Sequence, residues 1–128
     1  MRLGSDAIPA LRRLASGSPV WLSAVVIHEL YAGVADRDRP IIERMEHEFE
    51  EVGRVLVPDC ADWSQSGKVL ARLAAKYHYE KIGRSRLSND SLIAISAGRT
   101  GVRVVTENQR DFHRLSEFYP FQLEVTAL

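Results

Sequence analysis

Asn89-Asp90-Ser91-Leu92-Ile93-Ala94-Ile95-Ser96-Ala97, then Gly101-Val102-Arg103-Val104-Val105-Thr106, then Asp111-Phe112, is the stretch whose reading decides the fold. Asn89 to Gly98 reads as a helix. Val102 to Val105 is almost wholly apolar, the pattern of a strand buried on both faces. Asp111 to Leu115 reads as a short helical turn, and Phe121 to Val125 alternates as a last strand. Helices alternating with strands predict an α/β layered fold with a mostly parallel central sheet. In such sheets ligands gather at the carboxyl ends of the strands.

The rest of the chain continues the alternation. Lys81 to Leu87, just before the helix, reads as a basic loop. Upstream of it, Asp62 is placed to cap a long helix to about Tyr79, with Trp63, Val69, Leu70 and Leu73 inward. Arg54 to Val57 is a strand closed by Pro58. Pro40 opens a helix with Ile41, Met45 and Phe49 on one stripe. Ser23 caps a helix to about Gly33, where Val26, Ile27, Leu30 and Val34 recur at helical spacing. Pro19 to Leu22 is a short strand, and Ala7 to Ala15 a short helix stopped by Gly17. No repeat or low-complexity linker interrupts this order, so residues 1–128 read as a single domain.

Composition narrows the class. With 45% hydrophobic and 27% charged residues, the 128-residue chain has the profile of a soluble globular domain. No apolar run reaches the roughly 20 residues that span a bilayer, and Met1 to Ala10 lacks the apolar core of a signal peptide. These features predict no membrane association and a cytoplasmic location. The one cysteine, Cys60, excludes an internal disulfide framework and reads as a small buried or half-buried residue. Trp21 and Trp63 read as core or interface anchors. Net charge is zero, but its distribution is uneven. Glu29 to Asp59 holds nine acids against four arginines, whereas Arg72 to Arg114 holds nine bases against four acids. A basic half can attract phosphates even in a neutral protein, although solvated helix faces give the same pattern.

Three carboxylates stand at element ends among apolar neighbours: Glu29, Asp90 and Asp111. Gathered at one sheet edge they would hold a hard cation such as Mg²⁺ or Mn²⁺, which prefers oxygen ligands. Taken singly, Glu29 reads equally well as a surface residue, Asp90 as an N-terminal helix charge and Asp111 as a turn former.

The pattern around them adds a resemblance. Ser23-Ala-Val-Val-Ile-His-Glu29-Leu-Tyr-Ala-Gly33 resembles the Ser-Ala-x-x-x-x-Glu-Leu-x-x-Gly helix of PIN domains. Arg86-Leu-Ser-Asn-Asp90-Ser-Leu-Ile-Ala-Ile-Ser-Ala97 is similar to their Asn-Asp-x-Leu-Ile-Ala-x-x-Ala helix. Gly101-Val-Arg-Val-Val-Thr106-Glu-Asn108-Gln-Arg-Asp111-Phe112 resembles their Val-Thr-x-Asn-x-x-Asp-Phe strand and turn. The three blocks occur in family order, and the likeness runs from about Ala7 to the C-terminus. It implies a PIN-like three-layer fold and a metal-dependent endoribonuclease of the VapC-like kind. Such proteins are toxins held by a cognate antitoxin protein, and often homodimers.

Carried over residue by residue, Glu29 and Asp90 match the family's second and third acids and Thr106 its hydroxyl. Asp111 takes the fourth acidic place, with Asn108 as a neutral partner. Glu29, Asp90 and Asp111 would hold Mg²⁺ or Mn²⁺, Thr106 and Asn108 would orient a water, and Lys81, Arg84 and Arg86 are candidates for the RNA backbone. The family's opening strand, which ends in an aspartate, has no match: Asp6 follows Met-Arg-Leu-Gly-Ser and stands too close to Glu29. The expectation is therefore a chain missing that strand at its N-terminus, with little or no ribonuclease activity. The alternative is a non-catalytic remnant that keeps antitoxin-binding or self-association surfaces.

Overall fold

The computed structural model describes residues 20–78, 81–106 and 109–125, and the chain divides into two compact units between Val57 and Pro58. The expected helix at Ala7–Ala15 and the residues Asp6, Tyr79 and Asn108 lie outside the described residues.

The first unit is built on the parallel pair β1 (Leu22–Ser23) and β2 (Val55–Leu56), in register Leu22 to Val55 and Ser23 to Leu56. β1 begins later than the expected Pro19–Leu22 and includes Ser23. Ser23 also opens α1 (Ala24–Gly33), its hydroxyl accepting from the Val25 N–H at 3.2 Å. Extended Ser23 (φ −73°, ψ 136°) can thus end a strand and cap a helix at once. A 3₁₀ turn (Asp36–Asp38) leads into α2 (Arg39–Glu51), with Pro40 in the first turn, where a missing N–H costs nothing. Leu22, Ile27, Leu30, Ile42 and Met45 form the core, with Val26, Tyr31, Val34, Phe49 and Val55 packed against it. The inward stripe of α2 is set by Ile42, fully buried, and not by Ile41, which is 46% exposed. Choosing between adjacent isoleucines needs the helix phase, and Met45 fits either. Gly53, at φ +68°, turns the chain back from α2 into β2, and the Arg54 N–H reaches the Phe49 carbonyl at 2.9 Å.

The second unit begins with α3 (Cys60–Tyr77). Asp59 is the cap and Asp62 its reciprocal partner: the Asp62 N–H donates to Asp59 at 2.8 Å, and the Asp59 N–H to Asp62 at 3.0 Å. Asp62 was the expected cap; the helix begins one turn earlier because the box needs both carboxylates. With that phase Val69 and Leu73 point inward, while Trp63 is 59% exposed and Cys60 also faces solvent, against expectation. Trp21 is exposed as well.

His78 ends α3 in the left-handed conformation (φ 53°). The expected basic loop is helix instead: α4 runs unbroken over Lys81–Thr100. Lysine, arginine and leucine are good helix formers, so a basic run carries no break signal of its own. α4 buries Leu87, Leu92, Ala94, Ile95 and Ala97, and packs most extensively on α3. Small residues line that contact: the buried Ser66 and Ser91 hydroxyls are hydrogen-bonded to each other. Ser91 donates to the Ser88 carbonyl at 2.8 Å, so Ser66 is the donor between the two serines. α4 closes with Gly101 at φ +72° and the Val102 N–H on the Ala97 carbonyl at 2.9 Å.

β3 (Val104–Thr106), α5 (Gln109–Ser116) and β4 (Leu123–Val125) follow. β3 and β4 are parallel, with Val104 opposite Leu123, Val105 opposite Glu124 and Thr106 opposite Val125. Val104 is buried but Val105 is not, so β3 is covered on one face, not two. The mixed α/β architecture with parallel pairing is borne out, with the strands short and held in two separate pairs among the described residues.

Candidate active site

Glu29 belongs to the first unit, half-buried in α1. The second unit holds three of the expected residues. Asp90 is half-buried in the middle of α4, not at a helix start, because that helix extends two turns further upstream. Thr106 ends β3, half-buried. Asp111 stands in the first turn of α5, where the helix dipole favours a negative charge, and is only 8% exposed. Phe112 and Leu115 fix the roll of α5 by burying its inner face, and Phe112 meets Phe121 edge-on at 6.2 Å. α4 packs against both β3 and α5, so the element bearing Asp90 adjoins those bearing Thr106 and Asp111. Lys81, Arg84 and Arg86 fall on the first turns of α4.

Two groups escaped the sequence reading. The first is an ion pair between the ends of α3 and α4. The Arg99 guanidinium donates to both Asp62 oxygens, at 3.0 and 2.9 Å from Nε, and lies 3.4 Å from Asp59. Burial pushes the Asp62 carboxyl up, but the hydrogen bonds from Arg99 and from the Asp59 backbone outweigh it and hold it below the usual range. Thirty-seven positions separate the partners, and no local signal joins them.

The second is an open cleft of about 540 Å³ lined by Tyr77, Arg110, His113, Arg114 and Glu117. Glu117 accepts from Lys76 and from the Tyr77 hydroxyl, both at 2.6 Å. Its carboxyl is held low, first by Lys76 and then by Tyr77. The Arg114 guanidinium lies 4.6 Å from the Tyr77 ring centre. The spacing of 110, 113 and 114 on one helix face was the available signal.

The PIN-domain family matches residues 4–117, across both units, and the chain belongs to that family. Its members are generally nucleases, which supports a ribonuclease-like role and RNA as the ligand. No curated protein matches the chain. PIN domains typically use divalent metal ions. Glu29, Asp90 and Asp111 offer the hard oxygen donors such ions prefer. Among the described residues no three His, Cys, Asp or Glu side chains are grouped to hold one. Nor, among those residues, is any helix long and apolar enough to cross a membrane.

Proposed function

We propose that the chain is a Mg²⁺-dependent endoribonuclease, with Mn²⁺ as an alternative ion. The observation that carries this reading is that Asp90 lies on α4, which packs against the elements bearing Thr106 and Asp111 in the same unit, within a chain of the PIN family. Asp90 and Asp111 would hold the ion, which would supply polarisation of the phosphodiester and a more acidic water. The Thr106 hydroxyl both donates and accepts, which suits it to orient a water, and the Asn108 amide would assist. Lys81, Arg84 and Arg86 would steady the RNA backbone. The resemblance adds a toxin role in a toxin–antitoxin pair, with a cognate antitoxin protein and a second copy of the chain as partners, in the cytoplasm.

The test is cleavage of a structured RNA with and without Mg²⁺ or Mn²⁺. Slow metal-dependent cleavage that Asp90→Asn removes is the expected result. Metal-independent cleavage, unchanged in that variant, would overturn the mechanism. RNA binding with no cleavage under any ion would favour the alternative, a non-catalytic PIN fold that binds an antitoxin or its own copy.

A further inference from the structure

We propose that the cleft over α5 is a docking site for the phosphodiester backbone of single-stranded RNA, with Arg110 and Arg114 as the phosphate-binding residues and His113 between them. The proposal rests on the nuclease reading for its choice of ligand. It adds Arg110, His113 and Arg114 to the RNA-contact candidates Lys81, Arg84 and Arg86.

The cleft is built by a division of labour along one helix. Phe112 and Leu115 are buried, which turns positions 110, 113 and 114 together toward the cleft. Arg110 and Arg114 stand one turn apart, close enough to serve neighbouring groups of one strand. The Arg110 side chain is 78% exposed, and its nearest carboxylate, on the adjacent Asp111, is 3.9 Å away, beyond a good hydrogen bond. Its fork of donors therefore faces solvent largely unspent. Arg114 rests on the Tyr77 ring, which orients the guanidinium plane.

Glu117, the acid among the described lining residues, is engaged first by Lys76 and Tyr77, and the charge of Arg114 acts on it after them. Lys76 and the Tyr77 hydroxyl engage its two oxygens separately, so its charge is matched by a lysine outside the lining. Those two bonds also hold Tyr77 in place as the platform beneath Arg114. Two arginines and a histidine line the cleft beside Glu117. Guanidinium forks over an aromatic ring suit a phosphate chain with unstacked bases. The helix that presents them also carries Asp111, one residue from Arg110, so a strand docked here lies along the element that bears a proposed catalytic acid.

The experiment measures binding of the full chain to a fluorescein-labelled single-stranded RNA in EDTA, by anisotropy over a salt series. The double variant Arg110→Gln/Arg114→Gln is expected to weaken binding about tenfold or more. Its slope of log affinity against log salt should fall by about 1.4, since each phosphate contact to a single strand contributes about 0.7. Arg110→Gln alone touches no packing and should remove about half of that slope. Arg37→Gln/Arg44→Gln, the same charge change on the first unit, should shift affinity less than about twofold.

Unchanged affinity and slope in the arginine variants, with Asp90→Asn still losing cleavage, overturns the cleft and leaves the nuclease reading standing. Weakened binding in the arginine variants, with Asp90→Asn cleaving normally, supports the cleft and overturns the assignment of Asp90 to the active site. A wild-type chain that binds an acidic peptide but no RNA overturns both.

Discussion

Arg99 joins the last turn of α4 to the first turn of α3 through Asp62, with Nε and Nη2 both 2.9 Å from the same carboxylate oxygen. Asp62 is buried, and it also closes the capping box with Asp59. One carboxylate thus serves a helix start and a helix-to-helix tie.

The tie should give stability an acid limb. Asp62 is held below its ordinary value, so it favours the folded state above the unfolded carboxylate range, near pH 4. That contribution is lost as pH falls through the lower, folded value. Asp62→Asn should lower stability at neutral pH by about 1–2 kcal/mol and flatten the decline below pH ~4. Urea melts at several pH values check both; an acid limb as steep in the variant as in wild type would refute the assignment.

Gly98→Ala sets helix propensity against space. Alanine in a helix is favoured over glycine by about 1 kcal/mol. Here its Cβ would stand 2.8 Å from the Pro120 carbonyl oxygen and 2.8 Å from Tyr119 Cε1. One contact is to backbone, which cannot rotate away, so the clash wins. A net loss of roughly 1–3 kcal/mol is expected by thermal melting; a gain would mean that the segment after α5 yields.

Tyr31 should ionise above the ordinary tyrosine range. Its hydroxyl donates to Glu46 at 2.7 Å, linking α1 to α2, and that bond, with burial and the charge of Glu46, pushes its pKa up to about 12. A raised value means the bond stabilises the fold fully below pH ~10 and is lost as pH rises toward 12. Tyrosinate absorbance during an alkaline titration should show one delayed step. The step should vanish in Tyr31→Phe and shift to lower pH in Glu46→Gln.

Metal binding should appear as stability. An ion that binds only the folded chain adds about 2.7 kcal/mol at a hundred times its dissociation constant. Mn²⁺ titrated into the full chain should raise the melting temperature of wild type and leave Asp90→Asn/Asp111→Asn unmoved. Equal shifts in both would place the ion elsewhere.

Local signals carried most of the fold. The Ser23 cap, Pro40 at a helix start and the apolar rhythm of α1 all lie within a few residues of what they determine, so they were readable. The misreadings came where distance or phase decides. Asp62 looked like a cap because it precedes a helix pattern, but its true role depends on Asp59 and on Arg99 far downstream. Lys81 to Leu87 looked like a loop because charge was taken for turn chemistry. Trp63 looked internal because its size outweighed its angle on α3. Asp90, Thr106 and Asp111 became candidates through short motifs. Arg110, His113 and Arg114 did not, since their shared helix face gains meaning only with Tyr77 and Glu117 beside it.

The pairing of β3 with β4 has a further consequence. Thr106 lies opposite Val125, so its height and facing are fixed by a strand that carries none of the candidate chemistry. Strand pairing has a period of two, and a slip of one residue in β4 would present the opposite side of its ladder to β3. The segment Leu123–Val125 therefore works as a ruler for the hydroxyl proposed to orient water. A one-residue deletion between Phe121 and Leu123 would mis-set that hydroxyl while every candidate site residue remained in the chain.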